Sequence, residues 1–344
     1  MDYQKLCEMY ALKNMDMEFY NELNQKKLVQ IKNHPTLPLK LLNYTPVTQM
    51  KKKWNTNLLH ARGLVVDKDW KIIARPLPKF FNDYEVKGTL PPSPFKVYEK
   101  LDGSLIIMSF YKGKPIFCTR GCFTSEQAIK AEEIFTEKYQ NVKVDQDFTY
   151  CFEIIYPHNK IIVDYEEEED IFLLAKIHTA TGYEASIKDT GFRYVNAYDD
   201  DKSLSELKKM DTENKEGFVI HFPHNNFRLK IKFETYIKLH KKGKYSRKDV
   251  IQKIVKRKQI PLENIPDECY PDLQNMTKDI KHQFDDIKNA MVKEYASIKD
   301  KYKEEKEIIE GIKQSPNRNI LFCLFREKNY EKLIWKKMQE VINC

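Results

Sequence analysis

The hydrophobic pattern of this 344-residue chain changes once, near residues 240–250, and the change limits the folds that the chain can adopt. From about residue 40 to residue 235, short runs rich in β-branched and aromatic residues are separated by Pro, Gly and Asn, which is typical of strands joined by turns. Beyond about residue 245, apolar residues recur three or four positions apart, which is typical of amphipathic helices. We therefore expect an α+β fold, with a mixed β domain over residues 1–243 and a small all-α domain over residues 244–344.

The helical part of the pattern is dominated by one long apolar stripe, which we expect to be packing core rather than a binding surface. The break at residues 315–317 (SPN) should end the long helix, and two further helices should follow it. A separate helix is expected after Ser125, whose hydroxyl can cap it. The stripe consists of Ile280, Phe284, Ile287, Met291, Tyr295, Ile298 and Tyr302.

Composition favours a cytoplasmic protein without a membrane segment. Apolar residues make up 41% of the chain, but no run of 18 or more occurs, and the amino terminus lacks the apolar core of a signal peptide. The seven cysteines lack framework spacing, which fits a reducing compartment. The net charge of +8 suits a polyanionic partner, with basic clusters at residues 51–53 and 238–248. The acidic run at residues 166–170 is expected to be a solvated loop.

The motif at residues 100–104 (KLDGS) carries the most chemical information. Strong β-formers flank Asp102-Gly103, so the pattern predicts two strands joined by a tight turn, as in a hairpin, with Lys100 at a strand end. A neutral lysine amine can attack the α-phosphate of a nucleotide and hold the nucleotide covalently. Alone, this pattern is usually an ordinary surface turn.

Further motifs surround it in a fixed order, and together they carry a family resemblance. In order and spacing they resemble family 1 of the ATP-dependent RNA ligases, the T-even phage tRNA-repair type, within the covalent nucleotidyltransferase superfamily. The resemblance runs from about residue 43 to residue 236. The motifs are ARG at 61–63, RPLPKFFN at 75–82, TRG at 119–121, SEQA at 125–128, CFEIIYPHN at 151–159, EGFVI at 216–220 and LKIK at 229–232.

The resemblance implies a fold and a reaction. The fold would be an antiparallel-sheet nucleotidyltransferase (ATP-grasp-like ligase) domain, and the helical tail would help to choose the RNA. The protein would adenylylate its own lysine with ATP and Mg²⁺, for which Mn²⁺ could substitute. It would then pass AMP to an RNA 5′-phosphate, and an RNA 3′-hydroxyl would displace AMP. A broken tRNA anticodon loop, prior end healing by a kinase-phosphatase, a monomeric state and a viral origin are further expectations.

By the same resemblance, Lys100 is the nucleophile and Lys230 and Lys232 are its catalytic partners. Residues two apart on a strand project from one face, so Lys230 and Lys232 should both face the nucleotide. Two cations there would neutralise the α-phosphate oxygens and favour a neutral Lys100. Without Lys100, they would be ordinary solvated strand lysines.

Glu153 and Glu216 are the candidate metal ligands. Each lies in an apolar strand context, which is costly for a carboxylate unless it is paired or bound to a cation. The alternative is a buried salt bridge to one of the site lysines. Asp102 could join the same metal shell or shape the turn, and the sequence does not separate the two. Asp267-Glu268 is a weaker candidate for a second metal.

The remaining site residues are candidate nucleotide contacts. Basic side chains at three positions should bind phosphate or the nucleotide, and Gly103 should let it approach the backbone. Phe81 could stack on adenine or be a core aromatic, and Tyr236 could line the site or the core. The basic residues are Arg62, Lys79 and Arg120.

Two alternatives compete with an RNA ligase. DNA ligases and mRNA-capping enzymes carry arginine two residues after the glycine of the lysine motif, where this chain has Leu105, and they continue into a β-barrel rather than into helices. A catalytically inactive RNA-binding protein that retains the fold would be favoured by eroded site residues, and none is eroded.

Overall fold

The structure is a computed structural model, which describes residues 1–10, 15–88, 90, 94–198, 202–242, 247–256 and 270–342. It divides into two compact units, Met1–Lys242 and Gly243–Cys344. Within the described residues, no helix is both long enough and apolar enough to span a bilayer.

The first unit contains both helices and strands. Its helices are α1 (Tyr3–Tyr10), α2 (Phe19–Gln25), α3 (Pro46–Lys51), α4 (Thr56–His60), α5 (Glu126–Lys138), α6 (Leu204–Leu207) and α7 (Glu234–Lys242), with short 3-10 turns at Asp83–Glu85 and Pro157–Asn159. Its strands are β1 (Val29–Asn33), β2 (Leu39–Tyr44), β3 (Arg62–Asp67), β4 (Ile72–Ala74), β5 (Phe81–Asn82), β6 (Lys96–Lys100), β7 (Ser104–Tyr111), β8 (Lys114–Thr119), β9 (Phe148–Ile155), β10 (Asp170–His178), β11 (Glu184–Ala185), β12 (Ala197–Tyr198), β13 (Gly217–Phe222) and β14 (Phe227–Lys232).

The described strands form three sheets, in which almost all neighbours are antiparallel. Their strand orders are β1-β2-β3-β4, β11-β10-β9-β7-β8 and β12-β6-β13-β14-β5. The exception is the parallel pair of β14 and β5. The expected α+β fold class, with antiparallel sheets followed by a helical region, is thus confirmed.

The sheet that contains β2 and β3 is buried on both faces. Leu42 and Leu64 face the largest core of the unit, whereas Leu41 and Val65 pack against Ile107 of β7. Because successive strand residues point to opposite faces, these two short apolar strands join two cores. This explains why their sequence reads as continuous apolar runs rather than as an alternation.

The strands on either side of Asp102-Gly103 exist, but the expected hairpin is wrong. β6 pairs with β12 and β13, whereas β7 pairs with β8 and β9, so the chain crosses from one sheet to another at residues 101–103. A hairpin and a crossing share the same strand and turn signals, and only the pairing partners distinguish them. The crossing places Lys100 at the junction of two sheets.

Helix α5 begins as predicted, because the Ser125 hydroxyl accepts a hydrogen bond from the backbone N–H of Ala128 (3.3 Å). Ile134 is buried against the β7-β9 sheet, whereas Ile129 is exposed. The acidic run is a solvated loop only at its start, where Glu166 and Glu167 are exposed. Asp170 is buried and accepts a hydrogen bond from the Tyr139 hydroxyl (2.8 Å).

Neighbouring residues of the acidic run continue this network. Arg193 Nη1 contacts Glu168 (2.7 Å) and Asp170 (3.1 Å), and Lys130 pairs with Glu169 (2.8 Å). The run therefore connects α5 to the strand β10. The basic partners lie far away in the sequence, so this network could not be predicted from the run itself.

The second unit is helical in its described residues. Its helices are α8 (Arg247–Val255), α9 (Tyr270–Lys301), α10 (Glu305–Lys313), α11 (Arg318–Phe325) and α12 (Glu331–Ile342). The long apolar stripe is core, as expected: Ile280, Phe284 and Met291 are buried with residues of α8, α11 and α12.

The long helix ends earlier than predicted, at Lys301 rather than at the SPN break. Ile308 and Ile312 of α10 pack with Tyr302 and the preceding turns of α9, which requires the chain to fold back. Gly311 permits this close approach, since a Cβ atom there would lie 2.9 Å from the Tyr302 ring. The break therefore follows from tertiary packing and has no Pro or Gly signal at residues 302–304.

Candidate active site

Lys100, at the end of β6, is bound by Glu216, which directly precedes β13. The Lys100 Nζ lies 2.8 Å from Glu216 Oε2, and Lys232 Nζ lies 3.0 Å from Glu216 Oε1. Gly217 pairs with Lys100 on one side and with Lys232 on the other, so three neighbouring strands set this arrangement. Lys230, two residues before Lys232 on β14, projects from the same face.

Gly217 makes room for the close pairing of β13 with β14. Its φ is +145°, and a Cβ atom would lie 2.0 Å from the carbonyl oxygen of Ile231. Any side chain at this position would push apart the two strands that carry Glu216 and Lys232.

Glu216 is a buried, ionised carboxylate. Burial would raise its pKa, but the charges of Lys100 and Lys232 outweigh burial and hold the pKa below its usual value. The structure thus shows the salt bridge that was the alternative to metal binding. The bridge joins two lysines to one carboxylate, so the positive charge of Lys232 offsets the negative charge of Glu216 beside Lys100.

Glu153, on β9, faces the same junction from the other sheet. Burial raises its pKa from 4.5 to about 7; the charge of Glu216 adds to the rise, whereas those of Lys100 and Arg62 oppose it. Its Oε1 accepts a hydrogen bond from the backbone N–H of Gly103 (3.1 Å). The side chain is therefore held at the lysine turn, in a state that can gain or lose a proton near neutral pH.

Asp102 shapes the turn. Its carboxylate is buried and accepts hydrogen bonds from the backbone N–H groups of Ile162 and Val163 (2.9 Å each) and from the Tyr236 hydroxyl (2.6 Å). These three donors occupy both carboxylate oxygens, which favours the turn-shaping role over the metal shell. Gly103 is required for another reason: a Cβ atom there would lie 2.3 Å from the carbonyl oxygen of Ile154.

Tyr236 is a core residue that also contacts two residues of the candidate site. It is buried in the core, and its hydroxyl reaches Asp102 while the Nζ of Lys232 lies 5.3 Å from its ring centroid. A single side chain of α7 thus contacts both the lysine turn and the second site lysine.

The three basic candidates group around Tyr44. Arg120 Nη1 donates to the Tyr44 hydroxyl (3.0 Å), and Lys79 Nζ lies 6.0 Å from the Tyr44 ring centroid. Arg62 is near enough to Arg120 and Glu153 to interact electrostatically with both, and burial lowers its pKa without discharging it. This cluster of cations is suited to an anionic ligand.

Lys79 and Phe81 lie deeper than expected. Lys79 is buried, with its Nζ 5.4 Å from the Phe81 ring centroid and 6.0 Å from that of Trp54. Phe81 is only 2% exposed and packs edge-on against Trp54, so its face is not open to adenine. The core role of Phe81 is the one that the structure supports. Asp267-Glu268 lies outside the described residues.

Several residues near the site were missed from the sequence. Tyr165 accepts a hydrogen bond from the backbone N–H of Asp102 (2.8 Å), and Asn159 exchanges hydrogen bonds with Ser104 (3.1 and 3.2 Å). Tyr44 and Trp54 surround Lys79. Asn159 lies within the CFEIIYPHN motif at residues 151–159, whereas the other three carry no local signal and are revealed only by the fold.

The carboxylates of the site fit a hydrated divalent cation. No group of three or more His, Cys, Asp or Glu side chains among the described residues has the arrangement of a metal site. Mg²⁺, however, keeps several waters and needs one or two carboxylates together with phosphate oxygens. Glu153 and Glu216 raise each other's energy when both are ionised, and a cation near them would relieve this repulsion.

Taken together, the structure places a lysine–carboxylate–lysine bridge close to a cluster of basic side chains. The sequence model of the RNA ligase family matches residues 60–236, which is just over half of the chain and contains most of this site. The chain therefore belongs to the RNA ligase family.

Two curated relatives are similar to it. One, from Autographa californica nuclear polyhedrosis virus and named a bifunctional polynucleotide kinase/RNA ligase, is 26% identical over 254 residues, which are 64% of this chain and 36% of the relative. The other, from Thermovibrio ammonificans and named an RNA ligase, is 26% identical over 245 residues, which are 67% of this chain and 60% of the relative. The chain thus spans between about a third and three fifths of the length of these relatives.

Among solved structures, a protein of Aquifex aeolicus named an ATP-dependent DNA ligase is similar, with a TM-score of 0.46 and 16% identity over 88% of this chain and 89% of that one.

Proposed function

We propose that the chain is an ATP-dependent RNA ligase that joins a 5′-phosphate to a 3′-hydroxyl through a lysyl-AMP intermediate. The observation that carries the proposal is the placement of Lys100, between two sheets and 2.8 Å from a carboxylate that also binds Lys232. Membership of the RNA ligase family supports RNA as the substrate class.

The reaction would proceed by three substitutions at phosphorus. First, the neutral Lys100 amine attacks the α-phosphorus of ATP, an N–P bond forms, and pyrophosphate leaves while the nitrogen loses a proton. Next, an oxygen of the RNA 5′-phosphate attacks that phosphorus and Lys100 leaves, regaining a proton. Finally, the RNA 3′-hydroxyl attacks the activated 5′-phosphate, AMP leaves, and the hydroxyl proton is lost.

The residues around Lys100 would act chiefly by charge and position. The Lys100 Nζ contacts Glu216 (2.8 Å), so the amine must leave Glu216 before it can attack. Lys230 and Lys232 would neutralise the α-phosphate oxygens, and Lys232 would keep Glu216 compensated when Lys100 departs. Arg62 and Arg120, near Tyr44, would bind the outer phosphates of ATP.

A divalent cation, Mg²⁺ with Mn²⁺ as a substitute, would be held by Glu153 and Glu216 partly through its own waters. When bound, it would neutralise phosphate oxygens and pyrophosphate. Glu153 must be ionised to bind it, and the raised pKa of Glu153, about 7, makes that binding depend on pH near neutrality.

The two units would divide the work. Residues 1–243 would carry adenylyl transfer, and the helices of residues 244–344 would choose the RNA, with a broken tRNA anticodon loop as the proposed substrate. The name of the viral relative combines a polynucleotide kinase with an RNA ligase, which supports an end-healing kinase-phosphatase as a partner. The basic net charge of +8 supports a nucleic-acid partner.

The test uses α-labelled ATP, Mg²⁺ and the full chain, followed by a 5′-phosphorylated single-stranded RNA or a DNA of the same sequence. We expect labelled protein, transfer of the label to RNA, and sealed RNA product. Equal transfer to DNA would contradict RNA as the substrate class. RNA binding without protein labelling would support the alternative, an inactive RNA-binding protein.

A further inference from the structure

The backbone that follows Lys100 is held by a segment some sixty residues later in the chain, residues 162–165. The N–H groups of Ile162 and Val163 donate to Asp102 Oδ2 (2.9 Å each), and the Tyr165 hydroxyl accepts from the backbone N–H of Asp102 (2.8 Å). The 162–165 segment therefore binds both the side chain and the main chain of Asp102, which is two residues beyond Lys100.

The 162–165 segment is itself anchored in the core. Val163 is 3% exposed and belongs to the largest core cluster, and Ile162 and Tyr165 pack against the same cluster. The hydrogen bonds to Asp102 thus come from backbone fixed by burial rather than from a loose loop, and they can set the position of the turn.

The same segment also reaches the residues that precede β13, among which Glu216 lies. The backbone N–H of Asp164 donates to Asn214 Oδ1 (2.7 Å), and Asn214 Nδ2 donates to the carbonyl oxygen of Asp164 (2.9 Å). Asn214 lies two residues before Glu216. One segment therefore connects the turn after the nucleophile with the approach to the carboxylate that binds it.

We infer that the 162–165 segment is a positioning bridge that aligns Lys100 with Glu216, and that Tyr165 is its principal positioning residue. This inference rests on the proposed adenylylation of Lys100. In-line attack needs the Nζ of Lys100 at a fixed distance and angle from the α-phosphorus, and a displacement of about 1 Å can cost about a hundredfold in rate. Tyr165 acts through the Asp102 backbone.

Tyr165→Phe is the sharpest test, because it keeps the packed ring and removes only the acceptor for the Asp102 N–H. Two quantities are measured: amide hydrogen exchange in the peptide that covers the 100–104 motif, without ATP, and single-turnover adenylylation together with the Kd for ATP. We expect at least tenfold faster exchange and about 10- to 100-fold slower adenylylation, with the Kd changed less than about twofold.

Tyr139→Phe is the matched control. It also removes a tyrosine hydroxyl hydrogen bond, to Asp170, but at the end of α5. We expect wild-type exchange in the 100–104 motif and a wild-type adenylylation rate. Asn214→Ala, which cuts the other end of the bridge, should slow adenylylation as Tyr165→Phe does. The double variant should lose less than the product of the two single effects, since both act through one segment.

The outcomes separate the inference from the proposed function. Wild-type adenylylation in Tyr165→Phe, or slow adenylylation with unchanged exchange, overturns the positioning role. If the wild-type chain does not label with ATP, the proposed function fails. In that case only the amide exchange of Tyr165→Phe tests the positioning bridge. Unchanged exchange in the 100–104 motif overturns the bridge, and faster exchange supports it as a feature of the fold.

Discussion

Glu153→Gln should make the protein more stable, and the gain should grow as the pH rises. Each unit of pKa difference corresponds to 1.36 kcal/mol, so a rise from 4.5 to about 7 corresponds to about 3 kcal/mol. Glu153 is only partly buried, and we therefore expect about 2 kcal/mol. Glutamine keeps an oxygen that can accept the hydrogen bond from Gly103, so the variant removes the charge with little change in packing.

The sign follows from the direction of the shift. Below pH 4.5, Glu153 is protonated in both the folded and the unfolded chain, and the two proteins should be equally stable. Between pH 4.5 and 7 the folded state holds the proton more tightly, so the wild type loses stability as the pH rises. Above about pH 7 the difference should be constant.

The assay is urea unfolding of both proteins at pH 5 and at pH 8, without divalent cations. Glu126→Gln, at the exposed start of α5, is the control and should show no such pH dependence. A difference between wild type and Glu153→Gln that is the same at both pH values would refute the raised pKa, and with it the pH-dependent ionisation assigned to the metal site.

Three further predictions concern the site and the tail. Glu216→Gln removes the carboxylate shared by Lys100 and Lys232 and should destabilise the fold by about 3 kcal/mol, measured by urea unfolding. The control, Glu22→Gln, removes an exposed ion pair and should cost less than about 1 kcal/mol. Tyr236→Phe removes a hydrogen bond to a buried carboxylate; it should cost about 1.5–3 kcal/mol and slow adenylylation, and wild-type values for both would contradict the role of Tyr236. A chain ending at Lys242 should still label with ATP, but its sealing of a nicked tRNA stem-loop should fall relative to its sealing of linear RNA. If a folded truncation keeps the ratio of these two sealing rates unchanged, the helical tail does not select the substrate.

The fold class and the element types could be predicted because they depend on local patterns. Neighbouring residues are enough to predict the change from strand to helix patterns, the Ser125 cap and the apolar stripe of α9. What failed depended on distant partners. The strands flanking Asp102 were expected to pair with each other, but β6 pairs with the distant strands β12 and β13, and β7 pairs with the adjacent β8 and the distant β9.

The site could be predicted where the chemistry of a residue follows from its type, as it does for lysine and glutamate. Lys100, Lys232 and Glu216 do meet in space, and Glu153 lies beside them. Tyr165 could not be found, because an aromatic residue in a mixed loop looks like any core residue. Its role appears only when the fold brings its hydroxyl to the lysine turn.

The central claim is that Lys100 becomes covalently attached to AMP. The most direct measurement is mass spectrometry of the intact protein after incubation with ATP and Mg²⁺, for the wild type, Lys100→Ala and Lys100→Arg. We predict an adenylyl adduct on the wild type and none on either variant, since arginine cannot become a neutral nucleophile at working pH. An undiminished adduct on Lys100→Ala would contradict the mechanism outright.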